Sequence, residues 1–231
     1  MATGFSNDER AEIRDALRIP RGRYSVERAA QLSGVPQRTL YDWAQAGVLV
    51  PDFVGEHPKA WSYRDLVYAR LCVFLRSKQM PRPDVAERVA RARSAFARPD
   101  DEVETILRAD GRLLTFGSAS VEPETGIAVF EELAEFADEF DVLEPVDVRH
   151  RAWGPNLVRP SEETTMSPWV QGGEPCIRST RVPTAALYSL HVERQLSAAN
   201  LVRLYPGVTE AQVRDALDLE TRLHAAARQA A

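Results

Sequence analysis

Punctuation residues, more than hydrophobicity, restrict what this chain can fold into. Between residues 25 and 47 the sequence places Ser25, Gly34, Pro36 and Gly47 at the boundaries of two short apolar-periodic stretches. Ser25 can cap a helix over 26–32, and Ser33-Gly34-Val35 then makes a turn. Pro36 sits where a helix start tolerates a missing N–H, and Gly47 offers a left-handed stop for a second helix running to Ala46. Two short helices about a glycine-containing turn form a helix-turn-helix unit. Downstream, Val48-Leu49-Val50 and Ala60-Trp61 flank a polar loop holding Gly55, His57 and Pro58, a pattern that predicts a small β-wing.

The remaining elements follow from the same signals. A helix is expected over 6–18, acidic early and ending at Arg18, with Pro20 as its stop. Ser62-Tyr63-Arg64-Asp65 reads as a capping box with Asp in the Glu position, opening a helix to about Lys78 that carries Leu66, Ala69, Val73 and Phe74 inward. Pro81 and Pro83 interrupt, and 84–97 is a further helix made basic by Arg88, Arg91 and Arg93. Short strands over 113–116 and 127–130 and an acidic helix over 131–141 are expected in the middle of the chain. The tail begins extended and ends in helices over 183–194, 198–205 and 210–228, with Ser197 and the Thr209–Gln212 box as caps. The Tyr205-Pro206-Gly207-Val208 turn makes a second helix-turn-helix shape.

Charge divides the chain into three. Residues 1–98 hold 17 Lys+Arg and 11 Asp+Glu, residues 99–145 hold 2 and 14, and residues 146–231 hold 10 and 9. The overall net charge of −5 therefore conceals a basic head and an acidic middle. The expected division is 1–98 as a basic helix-turn-helix unit with its motif core at 22–80, 99–160 as an acidic connector, and 161–231 as a helical tail domain. The fold class is mainly α with small β elements.

Several functions are disfavoured. No run approaches the ~18 apolar residues of a membrane span. The N-terminus lacks the basic and apolar regions of a secretory signal, so a cytoplasmic location is expected. Cys72 and Cys176 make no metal-ligand spacing. His57, His150, His191 and His224 make none among themselves, and solvated or capping roles are expected of them. Cys176 beside a glycine pair is better read as a small buried residue than as a nucleophile. The glycine-rich string lacks G-x-x-x-x-G-K-[ST], so a nucleotide loop is not expected. No cofactor, metal site or enzyme activity is expected.

The stretch from Tyr24-Ser25-Val26 through Leu32-Ser33-Gly34-Val35 and Arg38-Thr39-Leu40-Tyr41-Asp42-Trp43 to Gly47-Val48-Leu49 resembles the MerR and excisionase-like winged helix. Trp61-Ser62-Tyr63-Arg64-Asp65-Leu66 fits that family's segment after the wing. The resemblance implies a core of Val26, Ala29, Ala30, Leu32, Val35, Leu40 and Trp43. It also implies a second helix entering the major groove, with Gln37, Arg38 and Tyr41 at the reading positions. His57 and Lys59 on the wing and Arg64 at the next helix start are candidate backbone contacts. Asp42 stands where the family carries a polar aromatic or basic residue. The long dimerisation helix of effector-sensing members is missing, which weakens a drug- or metal-sensing reading.

Gly172-Gly173-Glu174-Pro175-Cys176-Ile177-Arg178-Ser179-Thr180-Arg181-Val182-Pro183, followed by Leu204-Tyr205-Pro206-Gly207-Val208-Thr209, resembles the domain-of-unknown-function family 433 over about 166–224. Members occur as VapB-like antitoxins beside PIN-like ribonuclease toxins. The resemblance implies a DNA-binding antitoxin that represses its own operon, with double-stranded DNA and a PIN-like nuclease as partners and a homodimer matching a palindromic operator. Arg178 and Arg181 are candidate toxin contacts, because a guanidinium pairs bidentately with metal-binding carboxylates. Arg181 is expected instead to bond helix-end carbonyls inside the domain. Arg203, Arg214 and Arg222 are candidates for a second DNA contact. Ser179 replaces the family's usual Gly at a turn that needs positive φ. The alternative function is a stand-alone regulator whose tail dimerises or senses a ligand.

Overall fold

A computed structural model describes residues 15–55, 59–77, 79–96 and 153–229. The expected helix at 6–18 is described only over 15–18, where the chain is helical. The strands and helix expected between 113 and 141, and most of the connector, lie outside the described residues. The described part is mainly helical with one small two-stranded sheet.

Helix α1 (Val26–Ser33) opens as its cap dictates: Ser25 Oγ accepts from the Arg28 N–H at 3.1 Å. Gly34, at φ +75°, closes it and donates its N–H to Ala30 O at 2.9 Å. After Pro36 comes α2 (Gln37–Gln45), ended by Ala46 and by Gly47 at φ +67°. Ala29, Ala30, Leu32, Val35, Leu40 and Trp43 are all buried, and Val26 packs partly buried against them. Each fully buried Leu or Val stabilises the unit by roughly 2 kcal/mol. Helix α3 (Tyr63–Ser77) starts with the reciprocal pair: the Ser62 N–H donates to Asp65 Oδ2 at 2.8 Å, and the Asp65 N–H to Ser62 Oγ at 3.1 Å. Helix α4 (Arg82–Phe96) follows, with Val85, Val89 and Ala92 buried.

The β pairing differs from the sequence expectation. Tyr24, not 48–50, pairs with Trp61, through N–H···O bonds of 2.8 and 3.0 Å, and Phe53 pairs with Ala60. Val48 and Leu49 cannot join a ladder, because both donate their N–H groups to Trp43 O, at 2.9 and 3.3 Å. Their side chains go into the core, where they are 5% and 0% exposed.

The tail begins with β1 (Thr164–Thr165), antiparallel to β2 (Cys176–Ile177), with a 3-10 turn at Gln171–Gly173 between them. Three helices follow: α5 (Thr184–Arg194), α6 (Ala198–Leu204) and α7 (Glu210–Gln229). Ser197 caps α6, accepting from Asn200 N at 3.3 Å. Thr209 and Gln212 exchange backbone-to-side-chain bonds at the start of α7, at 3.0 and 3.3 Å. One face of α7 buries Val213, Ala216 and Leu217 with Ile177, Leu187 and Leu201. Its other face sends Leu219 and Leu223 into the core built by α1–α4, beside Leu157 and Met166. Head and tail, read from sequence as separate units, share buried surface.

Candidate nucleic-acid interface

One turn of α2 brings three of the expected reading residues together. Tyr41 lies four residues after Gln37 and three after Arg38, one turn of helix from each, with Gln37 and Arg38 exposed and Tyr41 half-buried. Lys59 approaches Tyr41, its Nζ 6.0 Å from the centre of that ring. A cation over an aromatic face is held by the ring quadrupole, which fixes this lysine beside α2. The Arg38 side chain makes no hydrogen bond or ion pair among the described residues. Asp42 is exposed on the same helix, one turn from Arg38. His57 lies outside the described residues.

Arg64 does not join this face. Its Nε and Nη2 donate to Asp52 at 2.7 and 2.6 Å, and its Nη1 donates to Leu17 O and Arg18 O at 3.3 and 2.9 Å. The sequence expectation of a phosphate contact is therefore corrected: the guanidinium is consumed inside the protein. Asp52 also accepts from Ser62 Oγ at 2.5 Å and from Arg93 Nη1 at 3.2 Å, and Arg93 Nη2 bonds Asp65. Arg93, counted from sequence toward a basic helix face, instead turns inward over the Tyr68 ring at 4.9 Å. Burial acts to raise the Asp52 carboxyl pKa, but bonds from Arg64 and Ser62 and the charge of Arg93 outweigh it, leaving it below 3.8. Burial, with the Asp52 charge adding, raises Asp65 above 3.8. This cluster fastens the segment at Asp52 to the start of α3 and to α4.

In the tail, Arg178 and Arg181 are both exposed. The Thr180 N–H donates to Ile177 O at 3.0 Å and the Ile177 N–H to Val182 O at 3.0 Å, so the segment between them is a tight turn. Ser179 occupies the third turn position at φ +60°, where glycine is favoured. The glycine-type backbone is thus retained without the glycine. Arg181 does not bond helix-end carbonyls as expected; its own carbonyl accepts from Gln171 Nε2 at 3.0 Å while its side chain faces outward. Arg214 pairs with Glu210 along α7, and the Arg222 guanidinium lies 4.4 Å over the Trp153 ring. Arg203 is exposed without such a partner among the described residues.

Sequence reading missed the residue that joins head to tail. Arg28, on α1, places Nη1 and Nη2 against the two carboxylate oxygens of Glu220 on α7, at 2.9 and 2.8 Å. Its Nε donates to Glu174 at 2.9 Å, and Nη1 also to Gln31 Oε1 at 2.9 Å. Glu220 is fully buried and accepts from Thr184 Oγ1 at 2.5 Å. Gln31 Nε2 lies 3.3 Å from His224 Nδ1, and that imidazole stacks on Tyr188 at 4.7 Å. Burial works against the Arg28 charge, yet the bonds and charges of Glu220 and Glu174 raise its pKa above the ordinary arginine value. No local spacing announces this network, whose members are 146 and 192 residues apart.

Neither thiol is poised for chemistry. Burial pushes Cys176 up to about 11, with the Glu174 charge adding, and Cys72 up to about 12. Among the described residues no group of three or more His, Cys, Asp or Glu could hold a metal ion. No helix there is long and apolar enough to cross a membrane.

Fold and site together define a mainly helical protein with an exposed polar face on α2, joined through buried charge to a three-helix tail. Residues 165–219 of that tail match the family model described as a protein of unknown function, DUF433. No curated protein and no solved structure matches the chain.

Proposed function

We propose that this chain is a DNA-binding antitoxin: α2 reads an operator, and the DUF433 segment neutralises a PIN-like ribonuclease. The DNA-reading part is supported above all by the placement of Lys59 over Tyr41, which adds a cation to the helix that exposes Gln37 and Arg38. In that reading the first helix pair and the segment around the Phe53–Ala60 bridge act as a MerR-like winged helix. Gln37 bonds adenine, Arg38 guanine or phosphate, and Tyr41 and Lys59 phosphate. The DNA is double-stranded, and the protein binds it as a cytoplasmic homodimer. On the tail, Arg178 and Arg181 project from one tight turn, a geometry suited to pairing with carboxylates of a metal-dependent nuclease.

The rival reading is a stand-alone regulator whose tail dimerises or senses a ligand. It draws on the buried Arg28–Glu220 pair, which makes the tail an integral part of the DNA-reading unit. A tagged pull-down from the native host at moderate salt separates the two. Near-stoichiometric recovery of a small nuclease supports the antitoxin; recovery of this protein alone, still binding its own promoter, leaves the regulator. Failure to bind promoter DNA at low salt overturns both.

A further inference from the structure

We propose that the tail positions the α1–α2 pair through Arg28, so that the loop 175–183 and the reading face of α2 are energetically coupled; the proposal rests on the DNA-binding reading above. The loop is closed at its base, where the Thr184 N–H donates to Pro175 O at 2.9 Å. The residues on either side of it both reach the same ion pair. Glu174, just before the loop, accepts from Arg28, and Thr184, just after it, donates to Glu220 at 2.5 Å. Arg178 and Arg181 stand on the exposed part of that loop. A partner that pulls on either arginine therefore pulls on both anchors of Arg28.

Arg28 transmits the displacement because it has no slack. Nε, Nη1 and Nη2 are all engaged, on Glu174, Gln31 and Glu220. Its side chain is 12% exposed and that of Glu220 is 0% exposed, so a lost bond is not replaced by bulk water. The adjustment that restores bonding is a shift of α1, which packs directly on α2. Stability alone gives little reason for such a pair, since well-packed apolar residues hold an interface as well or better. A fixed bidentate geometry instead confers orientation. Coupling between two sites is reciprocal, so DNA on α2 must alter the loop as the loop alters DNA binding.

That reciprocity allows a test without the loop's partner. Hydrogen exchange of the full chain is followed by mass spectrometry with and without a duplex carrying its own promoter region. DNA is expected to slow exchange over 37–45 and, several-fold, over 174–184. Glu174→Gln and Arg28→Lys are expected to bind the duplex three- to ten-fold more weakly and to lose the response at 174–184 while keeping that at 37–45. Wild-type protein that protects 37–45 but not 174–184 overturns the coupling and leaves DNA binding intact. A full loop response in Glu174→Gln overturns it equally. No protection at 37–45 means that α2 does not read DNA, and the coupling falls with that reading. Should Arg28→Lys fail to fold, Glu174→Gln decides, because the Glu174 side chain is 28% exposed and the substitution removes the charge that holds Arg28 without emptying a buried site.

Discussion

The hydroxyl of Tyr24 lies 1.9 Å from where a β-carbon on Gly173 would stand. Tyr24 is a buried residue of the head and Gly173 a buried glycine of the tail turn, so the two meet with no room for a side chain.

Gly172 and Gly173 should consequently differ under the same substitution. Both have positive φ, +66° and +90°, but a β-carbon on Gly172 meets nothing within 4 Å. Gly172→Ala is expected to lose about 1 kcal/mol from backbone strain alone. Gly173→Ala must also displace a buried ring and should lose roughly 3 kcal/mol or more. Urea denaturation of the two variants checks the difference, and equal midpoints would refute the Tyr24 contact.

Ser179 offers a gain. At φ +60° an exposed serine occupies a left-handed turn position. Ser179→Gly relieves that strain at some entropic cost and should raise stability by about 0.5 kcal/mol. Ser179→Val places a β-branched residue there and should lower the melting temperature.

Acid should act on the wing through Asp52. Its folded pKa lies below the unfolded 3.8, so its stabilisation is present above 3.8 and lost as pH falls through the lower folded value. Asp65 works with the opposite sign. Its folded pKa is raised, so the native state holds that proton more tightly and its ionisation opposes folding as pH rises through 3.8 and above. Asp52→Asn removes the carboxylate shared by Arg64 and Arg93 and should cost about 3 kcal/mol at neutral pH. The variant's stability should then fall less steeply than wild type below pH 3.8, as thermal melts over a pH series would report.

On the proposed reading face, Arg38→Ala should weaken promoter binding by about 2 kcal/mol and relax specificity at one base pair. Lys59→Ala should weaken binding to all sequences alike and reduce the salt slope by about one. Titrations at several salt concentrations distinguish the two patterns. A Lys59→Ala slope identical to wild type would remove the lysine from the interface.

The thiols should be silent. With Cys176 pushed up to about 11 and Cys72 to about 12, almost no thiolate exists at neutral pH. Labelling of the folded protein at pH 7 should be slow and should become fast in urea. Rapid labelling of Cys176 without denaturant would reopen a nucleophilic role for it.

What could be read from the sequence was local. Ser25, the Ser62–Asp65 pair, Ser197 and the Thr209–Gln212 pair each announce a helix start within four residues, and each makes its capping bond. The core side of α1 and α2 was implied by the resemblance to a winged helix, and Ala29, Leu32, Leu40 and Trp43 are buried as it implies. Pairings across the chain were not visible. Val48 and Leu49 look like a strand but spend their N–H groups on Trp43 O, and Trp61 finds Tyr24 instead. Arg64 and Arg93 resembled surface cations until Asp52 and Asp65 supplied partners from other segments. Arg28 carried no signal, because Glu174 and Glu220 reach it only once α7 has docked.

That docking has a temporal side. A ribosome releases α1 and α2 long before it adds Glu220, Leu219 and Leu223. Until α7 arrives, Arg28 lacks its bidentate acceptor, and the core of the head is open on the face those two leucines cover. A nascent chain, or one trimmed back through α7 by a protease, carries all of α2 without the Arg28–Glu220 brace behind it. Newly made chains should therefore gain a fully packed α1–α2 pair only after α7 has been added, and a cut within α7 should loosen a helix pair nearly two hundred residues away in sequence.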